Sequence, residues 1–313
     1  MIIVQRLIGL VALIGLFMMQ TAALEAAEHP RIALVMKSLA NEFFQTMADG
    51  ARTHQKNHAA DYDLIVNGIK DETDIIAQSK LVGQAIAQHV DAIIIAPADS
   101  KALIPAIREA ISKGILVINI DNRFDQSTLQ TADIHVPFVG PDNRAGARLV
   151  GDYVAKRLNP GDKVAIIEGV STTFNGQQRT LGFSDAMNAA GLSIASVQSG
   201  QWEIGKANAV AAAILREHPD VKALLCGNDN MALGAVAAVK SAGKTQSMLV
   251  AGYDNISAIK PLLGDGRLLA TADQGAGQQA VFAIEAALQA FAKHQTQNSL
   301  DADVKTPVAL ITK

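Results

Sequence analysis

Residues 31–44 read RIALVMKSLANEFF. An apolar run, IALVM, ends on a cation, Lys37, and two phenylalanines, Phe43 and Phe44, stand side by side where the next element opens. The run is continuous rather than alternating, as expected of a strand buried on both faces of a parallel sheet. Beyond it, Phe44, Met47, Ala48 and Ala51 fall at i, i+3, i+4 and i+7, the stripe of an amphipathic helix. The pair is therefore a strand followed by a helix, and the same unit recurs along the chain. Further strands are expected at 62–66, 91–96, 115–120, 163–169, 221–226, 248–254 and 268–273. Helix-like segments lie between them at 74–89, 100–113, 143–158, 176–190, 205–217, 230–242 and 275–293, with Asp74, Ser100 and Asn175 as N-caps and Gly114, Gly191 and Gly243 as stops. Such alternation gives α/β layers with right-handed crossovers. Eight strands could close one barrel. The long segment 122–143, with Pro137 and Pro141, instead reads as a crossing between two bodies. The expected fold is two Rossmann-like doubly wound domains with a cleft between them.

At 313 residues the chain has room for two such domains. Half of it is apolar (49%) and 18% is charged, which excludes a disordered chain. A formal charge of −3 argues against a general nucleic-acid binder. The N-terminus carries Arg6, then thirteen apolar residues, LIGLVALIGLFMM, then small residues at Ala23 and Ala26. This reads as a cleavable secretory signal over residues 1–26, short of the ~20 apolar residues of a membrane span. The only cysteine, Cys226, sits in the apolar run VKALLC, so no intramolecular disulfide is expected. The expected compartment is the periplasm.

In open α/β sheets ligands bind beyond the carboxyl ends of the strands. The first polar residues after the expected strands are Lys37 and Asn41; Asp99; Asp121, Asn122 and Arg123; Glu168; Asn228, Asp229 and Asn230; Asp254 and Asn255; and Asp273 with Gln274. The set holds carboxylates, amides and cations but no histidine and no cysteine. Carboxylates accept hydroxyl hydrogen bonds, amides donate and accept, and a guanidinium donates in a fixed fork. That chemistry suits an uncharged polyhydroxylated ligand, whose C–H faces would rest on aromatic rings. Aromatic residues are scarce (4%), and Phe43, Phe44 and the sole tryptophan, Trp202, in SGQWEIG, are placed for it. Simpler roles remain open for each. Phe44 fits its helix stripe, whereas Phe43 is rotated ~100° from it. Asn41 is a natural N-cap, Asp121 and Asp254 natural turn residues, Arg179 a natural solvated helix residue, and Trp202 a natural loop anchor.

Taken in order and spacing, IALVMKSLANEFF, VINIDNRF, QQRTLGF, CGNDNMALGA, VAGYDNI and ATADQ resemble the type I periplasmic sugar-binding proteins, specifically the ribose-binding-protein-like group. The resemblance covers the chain from about Arg31 to Lys313. It implies two α/β domains joined by three hinge crossings, near Gly140–Pro141, Gln274–Gly275 and Asp303–Pro307, with residues 27–140 plus 275–302 in one lobe and 141–274 plus 303–313 in the other. It implies ligand contacts at Asn41, Phe43, Phe44 and Asp121 from the first lobe, and at Arg179, Trp202, Asn228 and Asp254 from the second, with Gln274 near a crossing. Lys37 stands where a small hydroxyl residue is typical, and Asn122 where an arginine is typical. Either Lys37 is a solvated strand end or it replaces the cation missing at Asn122. In the second case two cations, Lys37 and Arg179, face two carboxylates, Asp121 and Asp254, a balance that favours a neutral sugar or polyol over a sugar acid. The implied role is solute capture for an ABC importer, with a membrane permease as partner, no metal or organic cofactor, and a monomer. Two alternatives would share the same pocket, a sensor that presents its ligand to a chemoreceptor or kinase and the binding of a sugar acid through Lys37.

An enzyme has little support. There is no G-x-G-x-x-G after a strand, no P-loop and no G-x-S-x-G. His54 and His58 are four apart, but Gln55 replaces the glutamate of H-E-x-x-H. Asp121 and Asp254 approach from opposite lobes, where they are better placed to hold hydroxyls than to act as an acid–base pair.

Overall fold

The computed structural model describes residues 29–313, and the expected signal segment lies outside them. The first half of the chain lays down β1 (Arg31–Ser38), α1 (Glu42–Asn57), β2 (Asp63–Ile69), α2 (Ile75–Ala87), β3 (Ala92–Ile95), α3 (Ile104–Ser112), β4 (Leu116–Ile120), α4 (Gln126–Thr131) and β5 (Phe138–Pro141). The second half adds α5 (Asn143–Ala155), β6 (Lys163–Glu168), α6 (Phe174–Ala189), β7 (Ser193–Ser199), α7 (Ile204–Glu217), β8 (Val221–Cys226), α8 (Asp229–Ser241), β9 (Leu249–Ala251), α9 (Lys260–Asp265) and β10 (Thr271–Asp273). The chain then returns through α10 (Ala276–Ala292), β11 (Val304–Thr306) and β12 (Ala309–Ile311).

Two parallel sheets result, ordered β11-β5-β4-β3-β1-β2 and β7-β6-β8-β9, with the antiparallel pair β10-β12 continuing the second beyond β9 through an Ala251–Ala270 bridge. The unbroken apolar runs have a direct cause. In β1, Ile32, Leu34 and Met36 enter one core cluster while Ala33 and Val35 enter another on the opposite face. In β8, Leu224 and Cys226 likewise part from Ala223 and Leu225. Period-two alternation is thus hidden because both faces are covered by helices.

The structure adds strands that the sequence reading left out. β7, SIASVQS, is an edge strand bonded only to β6 and half-exposed, so its composition stays polar. β5 spans only four residues and ends on Pro141, and α4 is a six-residue helix inside the segment read as a plain crossing. Asp74 caps α2 through Ala77 N–H, and Gly114, Gly191 and Gly243 end helices at positive φ. Ser100 and Asn175 are not caps: α3 opens after Leu103, and α6 opens one residue before Asn175.

Three stretches pass between the sheets. They run from β5 into α5 at Asp142, from β10 into α10 at Gln274–Gly275, and from β11 to β12 at Pro307–Val308. The last lies later than the expected boundary at 302/303, because Val304–Thr306 pair with Val139–Pro141 in the first sheet.

Candidate ligand-binding cleft

The carboxyl ends of both sheets converge on one enclosed space. Lys37, Asn41, Phe43, Phe44, Glu72 and Asp121 line it from the first lobe, and Asn175, Arg179, Trp202, Asn228, Asp254 and Gln274 from the second lobe and the crossing. Ten of the eleven residues singled out on the sequence are therefore brought together; the exception is Asn122. Its side chain turns away from the space, donating to Pro97 O (2.9 Å) and accepting from Ser100 Oγ (3.3 Å) and Asn175 N (3.2 Å). It joins the lobes instead of lining the cavity. Glu72 and Asn175 were missed as lining residues.

Each wall is built by its strand ends. Asn41 caps α1, accepting from Phe43 N (3.0 Å), while its amide nitrogen donates to Glu72 Oε1 (3.0 Å). Asn228 caps α8 through Met231 N (2.9 Å) and donates to Trp202 O (3.5 Å). The cap and the cavity wall are thus the same residue in both lobes, so these two readings of Asn41 coexist. Asp121 and Asp254 follow β4 and β9 at φ 59° and 121°, and Gln201 and Trp202 sit at 53° and 67°. Positive φ at non-glycine residues costs of order 1–3 kcal/mol each. Here it turns carboxylates and an indole inward.

Lys37 is no solvated strand end. It is 2% exposed, with Nζ 3.4 Å from Asp121 Oδ2 and 3.9 Å from Glu72 Oε2. It also lies 5.4 Å from the Phe44 ring and 5.7 Å from the Trp202 ring, within cation–π range of an aromatic from each lobe. Phe43 and Phe44 meet edge to face at 5.1 Å. Opposite them, Arg179 is held by four bonds: Nε to Asn143 Oδ1 (2.8 Å), Nη1 to Gly227 O (3.0 Å) and Asp254 Oδ1 (3.3 Å), and Nη2 to Gln274 Oε1 (3.2 Å). Its plane lies 3.9 Å from the Tyr253 ring. A guanidinium has five N–H donors, so one remains for a ligand. Gln274 completes the set by donating to Asp254 Oδ1 (2.7 Å).

Two buried polar atoms in this space have no hydrogen-bond partner, Asp121 Oδ2 and Trp202 Nε1. One accepts and the other donates, the demand a hydroxylated ligand satisfies. The electrostatics follow from burial. Burial raises the Glu72 pKa to about 7; the Lys37 charge and the Asn41 bond pull it down, while Asp121 and Glu203 push it up. Burial likewise drives the Asp254 pKa upward, against the pull of Arg179.

The lobes are closed on each other. Phe174 N donates to Ser100 Oγ (2.9 Å), and Glu42 accepts from Ser257 N (2.5 Å) and Ala258 N (3.3 Å). Burial works to raise the Glu42 pKa, but these bonds and Lys260 outweigh it and hold the carboxyl below its usual value.

Residues 32–295 match the model of the periplasmic binding protein domain. The chain belongs to the periplasmic binding protein family. Within it, the chain is 63% identical to a D-ribose/D-allose-binding protein of Pseudomonas aeruginosa over 92% of this chain and 90% of that protein. It is 34% identical to the D-allose-binding periplasmic protein of Escherichia coli, over 84% and 83%. Among solved structures, an ABC transporter periplasmic solute-binding protein from Actinobacillus succinogenes with bound D-allose superimposes with a TM-score of 0.84 at 36% identity, covering 91% of this chain and 98% of that one. These periplasmic binding proteins are binders and not enzymes. Among the described residues no helix is long and apolar enough to cross a membrane, and no group of ligating side chains is arranged for a metal.

Proposed function

We propose that the chain is the solute-binding component of an ABC importer, exported to the periplasm by residues 1–26, and that it captures one neutral monosaccharide of the ribose or allose kind. The observation that carries this reading is the closed cavity itself, with aromatic faces from both lobes, fixed carboxylates and amides between them, and two unsatisfied polar atoms. Lys37, Asn41, Phe43, Phe44, Glu72 and Asp121 would grip the ligand from the first lobe. Arg179, Trp202, Asn228, Asp254 and Gln274 would close over it from the second, by rotation about the three crossings. The lobe division places 303–306 with the first lobe and 309–313 with the second. Only the closed form would be recognised by the permease.

Charge supports neutrality of the ligand. Each of the two cations already faces a protein carboxyl group, Lys37 Nζ 3.4 Å from Asp121 Oδ2 and Arg179 Nη1 3.3 Å from Asp254 Oδ1, while Glu72, raised to about 7 by burial, adds no full third charge. Both cations are already engaged by protein carboxylates, so a ligand carboxylate would enter a wall with no spare positive charge.

A thermal-shift panel of aldoses, polyols and sugar acids on the mature chain tests the reading. A ligand at 100 times its dissociation constant stabilises the protein by ~2.7 kcal/mol. D-Ribose or D-allose is expected to shift the midpoint and aldonates are not; a panel with no shift for any neutral sugar would refute the assignment.

Glu72 also gives the binding a pH dependence. In this closed form burial raises its pKa from 4.5 to about 7, and opening, by admitting water, is expected to bring it back toward the lower value. Between those values the closed state holds a proton that the open state lacks, so closure is favoured as pH falls and disfavoured as pH rises through 7. Affinity is expected to be roughly tenfold tighter at pH 6 than at pH 8, one unit of linkage. Titration calorimetry at both pH values should show this for the parent and a shallower profile for Glu72→Gln, with Asp254, also driven upward by burial, supplying what remains; equal profiles in the two proteins would exclude Glu72 as a source.

A further inference from the structure

The helix that carries Arg179 does not finish its own N-terminus. α6 is 16 residues long, and its N-cap residue, Thr173, makes no capping bond; its hydroxyl donates to Val170 O (2.6 Å) instead. The first N–H groups of a helix have no partner within it. Here Thr173 N donates to Val170 O (3.1 Å) and Gly176 N to Asn175 Oδ1 (2.8 Å), both inside the second lobe. The two N–H groups between them are taken by the first lobe. Phe174 N donates to Ser100 Oγ (2.9 Å), and Asn175 N donates to Asn122 Oδ1 (3.2 Å).

Ser100, which caps no helix of its own lobe, forms a prebuilt acceptor pair with Asn122. Ser100 Oγ donates to Asn122 Oδ1 (3.3 Å), Asn122 Nδ2 donates to Pro97 O (2.9 Å), and Asn122 O accepts from Asn119 Nδ2 (2.8 Å). These bonds all lie within the first lobe, so they do not depend on the second. Next to Ser100, burial works to raise the Asp99 pKa, but bonds from the Thr172 hydroxyl and from the Ala102 and Lys101 N–H groups hold it below its usual value. The turn that leads into α6 is thus tied to the first lobe at Thr172 as well.

We propose that Ser100 and Asn122 are positioning residues for sugar binding: on closure they cap α6 from the opposite lobe and so fix the helix end that presents Asn175 and Arg179 to the cavity. Those two are i and i+4 on one face of α6, and both line the cavity, whereas Ser100 and Asn122 do not. The inference rests on the reading of the chain as a hinge-closing binder. Caps made only in the closed state slow release of the sugar and leave its entry into the open form unchanged.

Phe174→Pro tests this from the helix side, by removing one of the capped N–H groups. Phe174 is the first residue of α6, where proline is favoured, and Thr173 before it is extended (ψ 135°), as a residue preceding proline requires. α6 is therefore expected to stay formed, while the ring carbon that replaces the N–H meets Ser100 Oγ only in the closed state. Phe174→Ala keeps the N–H and removes the aromatic ring. With D-ribose or D-allose, whichever binds the parent, stopped-flow Trp202 fluorescence is expected to show release about tenfold faster in Phe174→Pro, the order of one lost cap. Association and the unliganded thermal midpoint stay parental, and Phe174→Ala releases at the parental rate. Ser100→Ala is expected to release about fivefold faster, and Ser100→Ala with Phe174→Pro no faster than Phe174→Pro alone, because the same bond is lost once. Hydrogen exchange gives a reading that needs no proline: sugar slows exchange at the Phe174 amide in the parent and not in Ser100→Ala. Equal release from Phe174→Pro and Phe174→Ala, a double variant whose effects multiply, or equal protection of Phe174 in Ser100→Ala and the parent would overturn the proposal. Failure of the parent to bind any sugar would instead refute the functional reading, which separates the two.

Discussion

Replacing Arg179 by methionine is expected to abolish measurable sugar binding while the two lobes remain folded. The guanidinium is 3% exposed and ties together four groups from separate elements: Asn143 on α5, Gly227 after β8, Asp254 after β9 and Gln274 in the crossing. Methionine restores much of the volume but leaves the Asp254 carboxylate in a closed, buried site without its cation. Removing one partner of a buried pair costs about 3–5 kcal/mol, and each ~1.4 kcal/mol is tenfold in affinity. Part of that cost is avoided by opening, where Asp254 meets water, so the loss falls mainly on the closed, ligand-holding state. Titration calorimetry is expected to show at least a 100-fold weakening, with a thermal midpoint lowered by less than the binding loss implies. Arg179→Lys is expected to fail as well, because an ammonium cannot reproduce the planar fork that reaches Asp254 and Gln274 together. Asp254→Asn added to Arg179→Met should recover stability without recovering binding, since it removes the stranded charge and not the missing donor. Retention of parental affinity within threefold by either single variant would mean that this guanidinium does not hold the ligand.

How far the sequence carried depends on what each residue had to announce. The strand of Ile32–Met36 was legible because burial on both faces demands an unbroken apolar run, and Phe43 was legible because it lies off its helix's stripe. Asp121 and Asp254 were reachable as polar residues beyond strand ends and Trp202 as the sole tryptophan in a polar loop, whereas Arg179, inside α6, was reachable only through the resemblance to the sugar-binding family. Glu72 obeys the same rule for β2, but it sits in the polar run KDETD, where pattern cannot tell the one inward carboxylate from its solvated neighbours. Asn175 looked like a cap because it stands at a helix start, and what brings it to the cavity is the docking of the lobes. Asn122 was misplaced for a related reason. It follows Asp121, and the left-handed turn at Asp121 aims one side chain into the cleft and sends the next toward Pro97 and Ser100. Strand termini can be read from composition; the direction of consecutive side chains in a turn is set by backbone angles that composition does not encode. The edge strand β7 and the short return strands β11 and β12 were missed because partial exposure removes the apolar signal.

The second large effect is expected from a change that removes no functional group, Gly169→Ala. Gly169 follows β6 directly, and a Cβ built there would lie inside the van der Waals envelope of the Trp202 indole, against Cζ2, Cη2 and Cε2. The ring has nowhere to retreat, because a Cβ on Gly176 would stand 3.2 Å from Cζ2 and one on Gly227 3.2 Å from Cζ3. These glycines form a slot whose width is one indole. The added methyl therefore evicts Trp202 from its buried position, and the loop that carries it, already at positive φ at Gln201 and Trp202, reorganises. The second lobe then loses the aromatic face that lies 5.7 Å from Lys37 and 5.5 Å from Arg179. An aromatic side chain buries 150–250 Å², and at ~25 cal/mol per Å² losing most of that against the ligand and its neighbours weakens binding on the order of 100-fold. Trp202 is the only tryptophan, so its fluorescence reports the event directly. Gly169→Ala is expected to shift emission to the red, abolish any sugar-induced change and retain the far-UV circular dichroism of the parent. Gly205→Ala, where nothing lies within 4 Å, should do none of this. Adding Trp202→Phe to Gly169→Ala shrinks the ring that collides, and is expected to recover part of the affinity that Gly169→Ala alone destroys. A parental emission maximum and parental affinity in Gly169→Ala would show that the indole is not confined by that slot, and the aromatic wall of the second lobe would have to be sought elsewhere.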